Sequence, residues 1–204
     1  MKKTVMGISV VILGLNTGFA GVLAQWTIVS GGFIDNPVWY SRNVSSGISS
    51  IGTIIKLDES KTKSTYYPHP TTFCYQTQND TRLNPEKYIQ IFITPETGYS
   101  IDVTRLSFTV WSTTNGAQNI AIRSSLDNFE SDLLSQPLNR GANTQINVGF
   151  SDKAFSKITE PVEFRIYFWD ARGLQVAYMS NNNRGVAVVV DGTVAKKQSV
   201  LLSK

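Results

Sequence analysis

The sequence predicts an all-β protein, a two-layer antiparallel β-sandwich with one short helical turn near residues 125–134. Three observations point to it. Apolar and polar side chains alternate in short runs, as in "VEFRIYFW" (162–169), where Val162, Phe164, Ile166 and Phe168 interleave with Glu163, Arg165, Tyr167 and Trp169. Successive side chains of a strand point to opposite faces, so each such run is half oily and half wet. The runs are separated by clusters of turn-forming residues, and helical periodicity is scarce. Two sheets that bury one face apiece against each other satisfy every run at once.

Taken in order, the predicted strands are "QWTIV" (25–29), "IGTIIKL" (51–57), "TFCYQT" (72–77), "YIQIFIT" (88–94), "RLSFTVWS" (105–112), "QNIAIRS" (118–124), "TQINVGF" (144–150), "VEFRIYFW" (162–169) and "GVAVVVDGTV" (185–194). Ile89, Ile91 and Ile93 share one face of their strand, and Leu106, Phe108 and Val110 share one face of theirs. Trp26 is expected to anchor the first strand in the core. The connectors "DNP" (35–37), "YPHP" (67–70), "PETG" (95–98) and "TTNG" (113–116) carry the residues that turns require. "SSLDNFESDLL" (124–134) differs, because Ser124 and Asp127 stand at capping-box spacing and Leu126, Phe129 and Leu133 recur at helical intervals. It predicts the helical turn, closing one end of the sandwich. The polar, proline-bearing stretch 59–72 reads as a long surface loop, and 195–204 as a tail prone to fray.

Lys2 and Lys3 precede an apolar run that is interrupted by several glycines and is too weakly apolar for a spanning helix. Residues 1–24 are therefore read as a secretory signal peptide, with Val22 and Ala24 three and one residues before a cut ahead of Gln25. Removing 24 of 204 residues leaves 180, one β-sandwich domain over 25–204. The 19 basic residues less Lys2 and Lys3 give 17 against 15 acidic ones, a balance that supports no nucleic acid partner. After the leader no membrane span is expected. Cys74 has no partner in the chain, so stability comes from packing, and the thiol reads as a small buried hydrophobe.

"RLSF" (105–108), "RSSLDNF" (123–129), "PVEFRIY" (161–167) and the closing "VAVVVDGTV" (186–194) follow one another in an order that resembles the secreted bacterial jelly-roll β-sandwich modules of PEP-CTERM-type exported and surface proteins. No sorting tail follows the last strand in this sequence. The resemblance implies a jelly-roll sandwich and a secreted location, extracellular, at the cell surface or periplasmic.

The inventory for catalysis is thin, and no catalytic residue is assigned. His69, the single histidine, stands between two prolines in the predicted loop, so a triad or multi-histidine zinc site has no basis. Glu163 has Arg165 two residues on along the same face, which reads as an ion pair on a solvated sheet. Asp127, Glu130 and Asp132 read as groups that cap and solvate their turn, with a structural calcium ion as the alternative. No cofactor is expected.

The polar face of the sandwich carries the functional expectation. Glu163, Arg165, Tyr167 and Trp169 share it, and Trp111 faces away from Leu106, Phe108 and Val110. Flat rings stack on the C–H faces of sugars while Arg, Glu and amide groups bond the hydroxyls. The competing account is that Tyr167 and Trp169 pack beneath the 59–72 loop or the helical turn. The sequence thus suggests a non-catalytic module that binds extracellular or cell-surface polysaccharide. Two alternatives stand beside it: a self-assembling structural protein that meets neighbouring subunits through the same patch, and a glycan-cleaving jelly-roll enzyme using Glu163.

Overall fold

The computed structural model describes residues 21–26, 39–40, 43–51, 72–78, 81–172, 174–180 and 187–197. They form twelve strands: β1 (Gly21–Trp26), β2 (Trp39–Tyr40), β3 (Val44–Ile51), β4 (Thr72–Gln78), β5 (Tyr88–Pro95), β6 (Tyr99–Ser112), β7 (Asn119–Ser124), β8 (Leu134–Pro137), β9 (Ala142–Gly149), β10 (Val162–Trp169), β11 (Leu174–Ser180) and β12 (Val188–Lys196). Two short 3-10 turns, Ser125–Asp127 and Lys153–Phe155, interrupt them.

The strands build two antiparallel sheets, one of seven strands and one of five. In the first, β1, β12, β6 and β9 lie side by side; in the second, β5, β10, β7 and β8 do. The eight thus pair first with last and inward from there, β1 with β12, β5 with β10, β6 with β9 and β7 with β8. This nested pairing is the jelly-roll order. The remaining strands extend the edges, β2 beside β1, β3 beside β5, and the β4–β11 pair beside the end of β6.

Between the sheets lies one apolar seam. Ile89, Ile91 and Ile93 from β5 and Phe164 and Ile166 from β10 meet Leu106, Phe108 and Val110 from β6, all at most 2% exposed. Each such side chain contributes roughly 1.5–3 kcal/mol by leaving water. Phe155, on the second 3-10 turn, stacks on Phe150 at 4.3 Å and lies 6.3 Å from Phe164, extending the seam. Asp152 starts that turn by accepting a hydrogen bond from the Ala154 N–H at 2.8 Å.

Several elements differ from the sequence reading. The long β6 was visible only from Arg105, because its inward residues change phase: Ile101 and Val103 point in, Thr104 and Arg105 are both exposed, and Leu106 resumes the core. A β-bulge does this, matched by a register shift at Asp191/Gly192 in β12 and another at Val22/Ala24 in β1. The helical turn expected over 125–134 is a single 3-10 turn without the Ser124 side-chain cap, ended by left-handed Asn128 and Phe129 at φ 57° and 62°. Leu126 and Leu133 still pack on the core, but the chain between them leaves helical geometry and continues into β8. β1 begins at Gly21, so the expected boundary after Ala24 falls inside a strand. Residues 27–29, 52–71 and 198–204, with the predicted loop, His69 and most of the second predicted strand, lie outside the described residues, as does the side chain of Cys74.

Candidate functional site

The jelly roll divides the five predicted site residues between its two outer faces. Glu163, Arg165, Tyr167 and Trp169 belong to β10 in the five-stranded sheet, whereas Trp111 belongs to β6 in the seven-stranded one. The two sheets and the apolar seam between them separate these faces. The single patch expected from sequence is therefore two surfaces.

On the five-stranded face the polar side chains are engaged with one another. Arg165 Nε lies 2.6 Å from Glu163 Oε1, and its guanidinium sits 3.6 Å above the Phe129 ring and 4.3 Å from the Tyr88 ring. A planar cation between two rings gains from both quadrupoles. Burial alone would lower the Arg165 pKa, but the Glu163 carboxylate, with smaller contributions from Tyr88 and Tyr167, holds the value above the ordinary one. Arg123 forms a second clamp, bonded to Asp132 at 2.6 Å and to the Phe129 carbonyl at 3.2 Å.

Tyr167 is not wet. It is 1% exposed, meets Tyr88 edge-on with ring centres 5.7 Å apart, and has the Arg123 guanidinium 5.7 Å from its centroid. Burial raises its phenol pKa above the usual 10.0, although the neighbouring arginines pull the other way. From the helical-turn segment the Phe129 ring reaches this face, where it lies against the Arg165 guanidinium. Trp169, at the strand end, is half-buried. Phe92, paired in register with Glu163, is 36% exposed and is the exposed large hydrophobic side chain among the described residues.

The seven-stranded face is different in kind. Trp111, half-buried, stands opposite Asn143 of β9 in register, followed by Thr109 opposite Gln145 and Ser107 opposite Asn147. Asn143, Gln145 and Asn147 are exposed, while Thr144, Ile146 and Val148 between them point into the core. Gln145 Oε1 accepts from Thr109 Oγ1 at 2.8 Å, and Gln145 Nε2 donates to the Phe108 carbonyl at 3.2 Å. At the far end Arg105 and Asp191 form an ion pair at 2.6 Å. From Arg105 to Trp111 the row runs ~20 Å at about 3.3 Å per residue. It is a ladder of amides and hydroxyls beside an indole, with its charges paired to each other.

Sequence reasoning missed that amide row. The signal was present in "TQINVGF", where alternation that buries Ile146 and Val148 must turn Asn143, Gln145 and Asn147 outward. Nothing in the sequence says that this strand lies beside Trp111. Two of the acidic residues of 127–132 have local partners: Asp132 pairs with Arg123, and Asp127 Oδ2 accepts from the Ser131 N–H at 3.0 Å, while Asp127 Oδ1 is buried without a hydrogen-bond partner. Among the described residues no group of three or more His, Cys, Asp or Glu side chains is placed to hold a metal, and no helix is long and apolar enough to cross a membrane.

No family model and no curated protein matches the chain. Among solved structures it is similar to an α-L-arabinofuranosidase bound to arabinose, with 10% identity and a TM-score of 0.39 over 83% of this chain and 27% of that one. It is also similar to a carbohydrate-binding module of the β-sandwich superfamily, at 9% identity and a TM-score of 0.32 over 82% of this chain and 62% of the other. A third is a xylanase of Clostridium thermocellum with a carbohydrate-binding module, complexed with xylohexaose, at 10% identity and a TM-score of 0.29 over 92% and 30%. The chain spans between about a quarter and three fifths of the length of these structures.

Proposed function

We propose that the protein is an exported, non-catalytic module that binds extracellular or cell-surface polysaccharide, and that the contact surface is the outer face of the seven-stranded sheet around Trp111. One observation supports this above the others: Asn143, Gln145 and Asn147 are exposed in alternation beside the half-buried indole. Amides and hydroxyls donate and accept without charge, which suits a ligand made of hydroxyls. The indole removes the apolar face of a sugar ring from water at roughly 25 cal/mol per Å². The row's ~20 Å length favours an extended chain over a single sugar. On the other face Arg165 and Glu163 already satisfy each other, so a ligand there would first have to break the pair.

The test is affinity electrophoresis of the exported protein against a panel of neutral and acidic polysaccharides. Trp111→Ala and Asn143→Ala are each expected to weaken retention about tenfold or more, near 1.4 kcal/mol, with Trp169→Ala close to wild type. Loss with Trp169→Ala alone would move the surface to the five-stranded face. Absence of retention across the panel by the wild type would remove the binding function.

A further inference from the structure

We infer that the leader is removed by hydrolysis of the Ala20–Gly21 bond, four residues before the cut ahead of Gln25. The proposal rests on reading the Lys2–Lys3 segment and the apolar run after it as an export leader, and it assigns the processing site within that reading. Leader peptidases require small residues three and one positions before the bond. The sequence offers two such pairs, Val22 with Ala24 and Gly18 with Ala20. Spacing alone does not rank them.

The fold does. Residues 21–24 are two thirds of β1, the strand that joins β2 to β12. Gly21 pairs with Gly192, Val22 with Asp191 and Ala24 with both Val190 and Tyr40. Leu23 and Ala24 are completely buried. Leu23 occupies the bulge and lies where Gly192 has no side chain: a Cβ there would stand 2.7 Å from Leu23 Cδ1 and 2.0 Å from the Asp102 carbonyl oxygen. Gly192 thus makes room for Leu23 as well as for the Asp102 carbonyl, and a cut before Gln25 would discard Leu23. Such a cut would also unpair the backbone of β12 from Val190 to Gly192 and leave an open sheet edge.

The new terminus argues the same way. Hydrolysis takes up one water, leaves the carboxylate on Ala20 and the α-ammonium on the following residue. At Gly21 that charge emerges at an exposed strand end. At Gln25 it would emerge next to fully buried Trp26, in the space Ala24 had filled, where desolvating an ammonium is costly.

The experiment is export of the full 204-residue chain from a bacterial host, with intact mass and N-terminal sequencing of the exported product. The expected terminus is Gly-Val-Leu-Ala, with residues 1–20 lost. A terminus at Gln25, or at any other residue, overturns the assignment while keeping the leader; an exported chain that still begins at Met1 overturns the leader reading itself. Ala20→Lys should block processing and accumulate precursor, and unchanged release of a chain starting at Gln25 would refute the proposal. Residues 21–204 and 25–204, each expressed without a leader, provide the second readout. The shorter chain should show a lower thermal midpoint or no cooperative transition, and equal midpoints would count against a retained β1.

Discussion

Gly192 and Tyr167 illustrate how single residues carry the structure. At Gly192 the constraint is distance, since an added Cβ would fall 2.0 Å from a backbone carbonyl. Gly192→Ala should cost about 1–3 kcal/mol as overpacking displaces Leu23 or opens the bulge, measurable as a lower urea midpoint. At Tyr167 the constraint is charge. Its phenol pKa in the fold is raised above the unfolded value by burial, so the folded state holds the proton more tightly. That contribution is complete below the unfolded pKa near 10 and is lost as the pH rises through the folded value. Stability should therefore fall as pH rises above about 10, and Tyr167→Phe should flatten the decline in denaturant midpoints measured between pH 9 and 11. An equally steep decline in the variant would show that other groups govern alkaline unfolding.

Elements of this fold are set by where alternation holds and where it is broken. β5 alternates between buried and more exposed residues along its whole length and β10 does so from Val162 to Ile166 before Tyr167 is buried beside Phe168, and that regularity makes the bounds of both legible in the sequence to within one residue. β6 keeps its direction but changes phase at Thr104, so its first half reads as loop when taken alone. β3, "VSSGISSI", spaces its three branched side chains among four serines and a glycine, a weak strand signal, and is placed by its pairing with β5. β11, "LQVAYMS", buries Ala177 and Met179, side chains that signal a core weakly. The Lys153–Phe155 turn shows how a minor element can matter, because Phe155 reaches the main core through Phe150. Phe155→Ala should destabilise the whole domain by roughly 3–5 kcal/mol, visible as a lower thermal midpoint; a loss under 1 kcal/mol would mean the turn is peripheral to the fold.

For the whole molecule, the two sheets present outer faces of unlike chemistry. One is sealed by ring–guanidinium contacts and ion pairs, the other offers neutral hydrogen-bonding groups beside an indole. A polysaccharide held on the second face should bind with little dependence on ionic strength between 0.05 and 0.5 M salt, because no unpaired charge is required. A steep fall in retention with salt would point instead to an acidic polymer drawn to the basic side chains. Binding to the folded state alone should also raise stability, by about 2.7 kcal/mol at a ligand concentration of 100 Kd. A thermal shift that appears with wild type and vanishes with Trp111→Ala would tie that gain to the indole.

Alternation in "VEFRIYFW" and "YIQIFIT" was enough to determine a two-sheet sandwich and which side chains fill it, because strand periodicity is local and burial follows from it. The same alternation set Trp111, Arg165 and Trp169 outward, yet it carried no information on which sheet each outward face belonged to. That was decided by the nested pairing of strands distant in sequence, which separated Trp111 from Arg165 and set Asn143, Gln145 and Asn147 beside Trp111, while the Phe129 ring came to lie against the Arg165 guanidinium. Local sequence fixes the direction a side chain takes from its own strand; neighbours across strands are chosen by the packing of the chain as a whole.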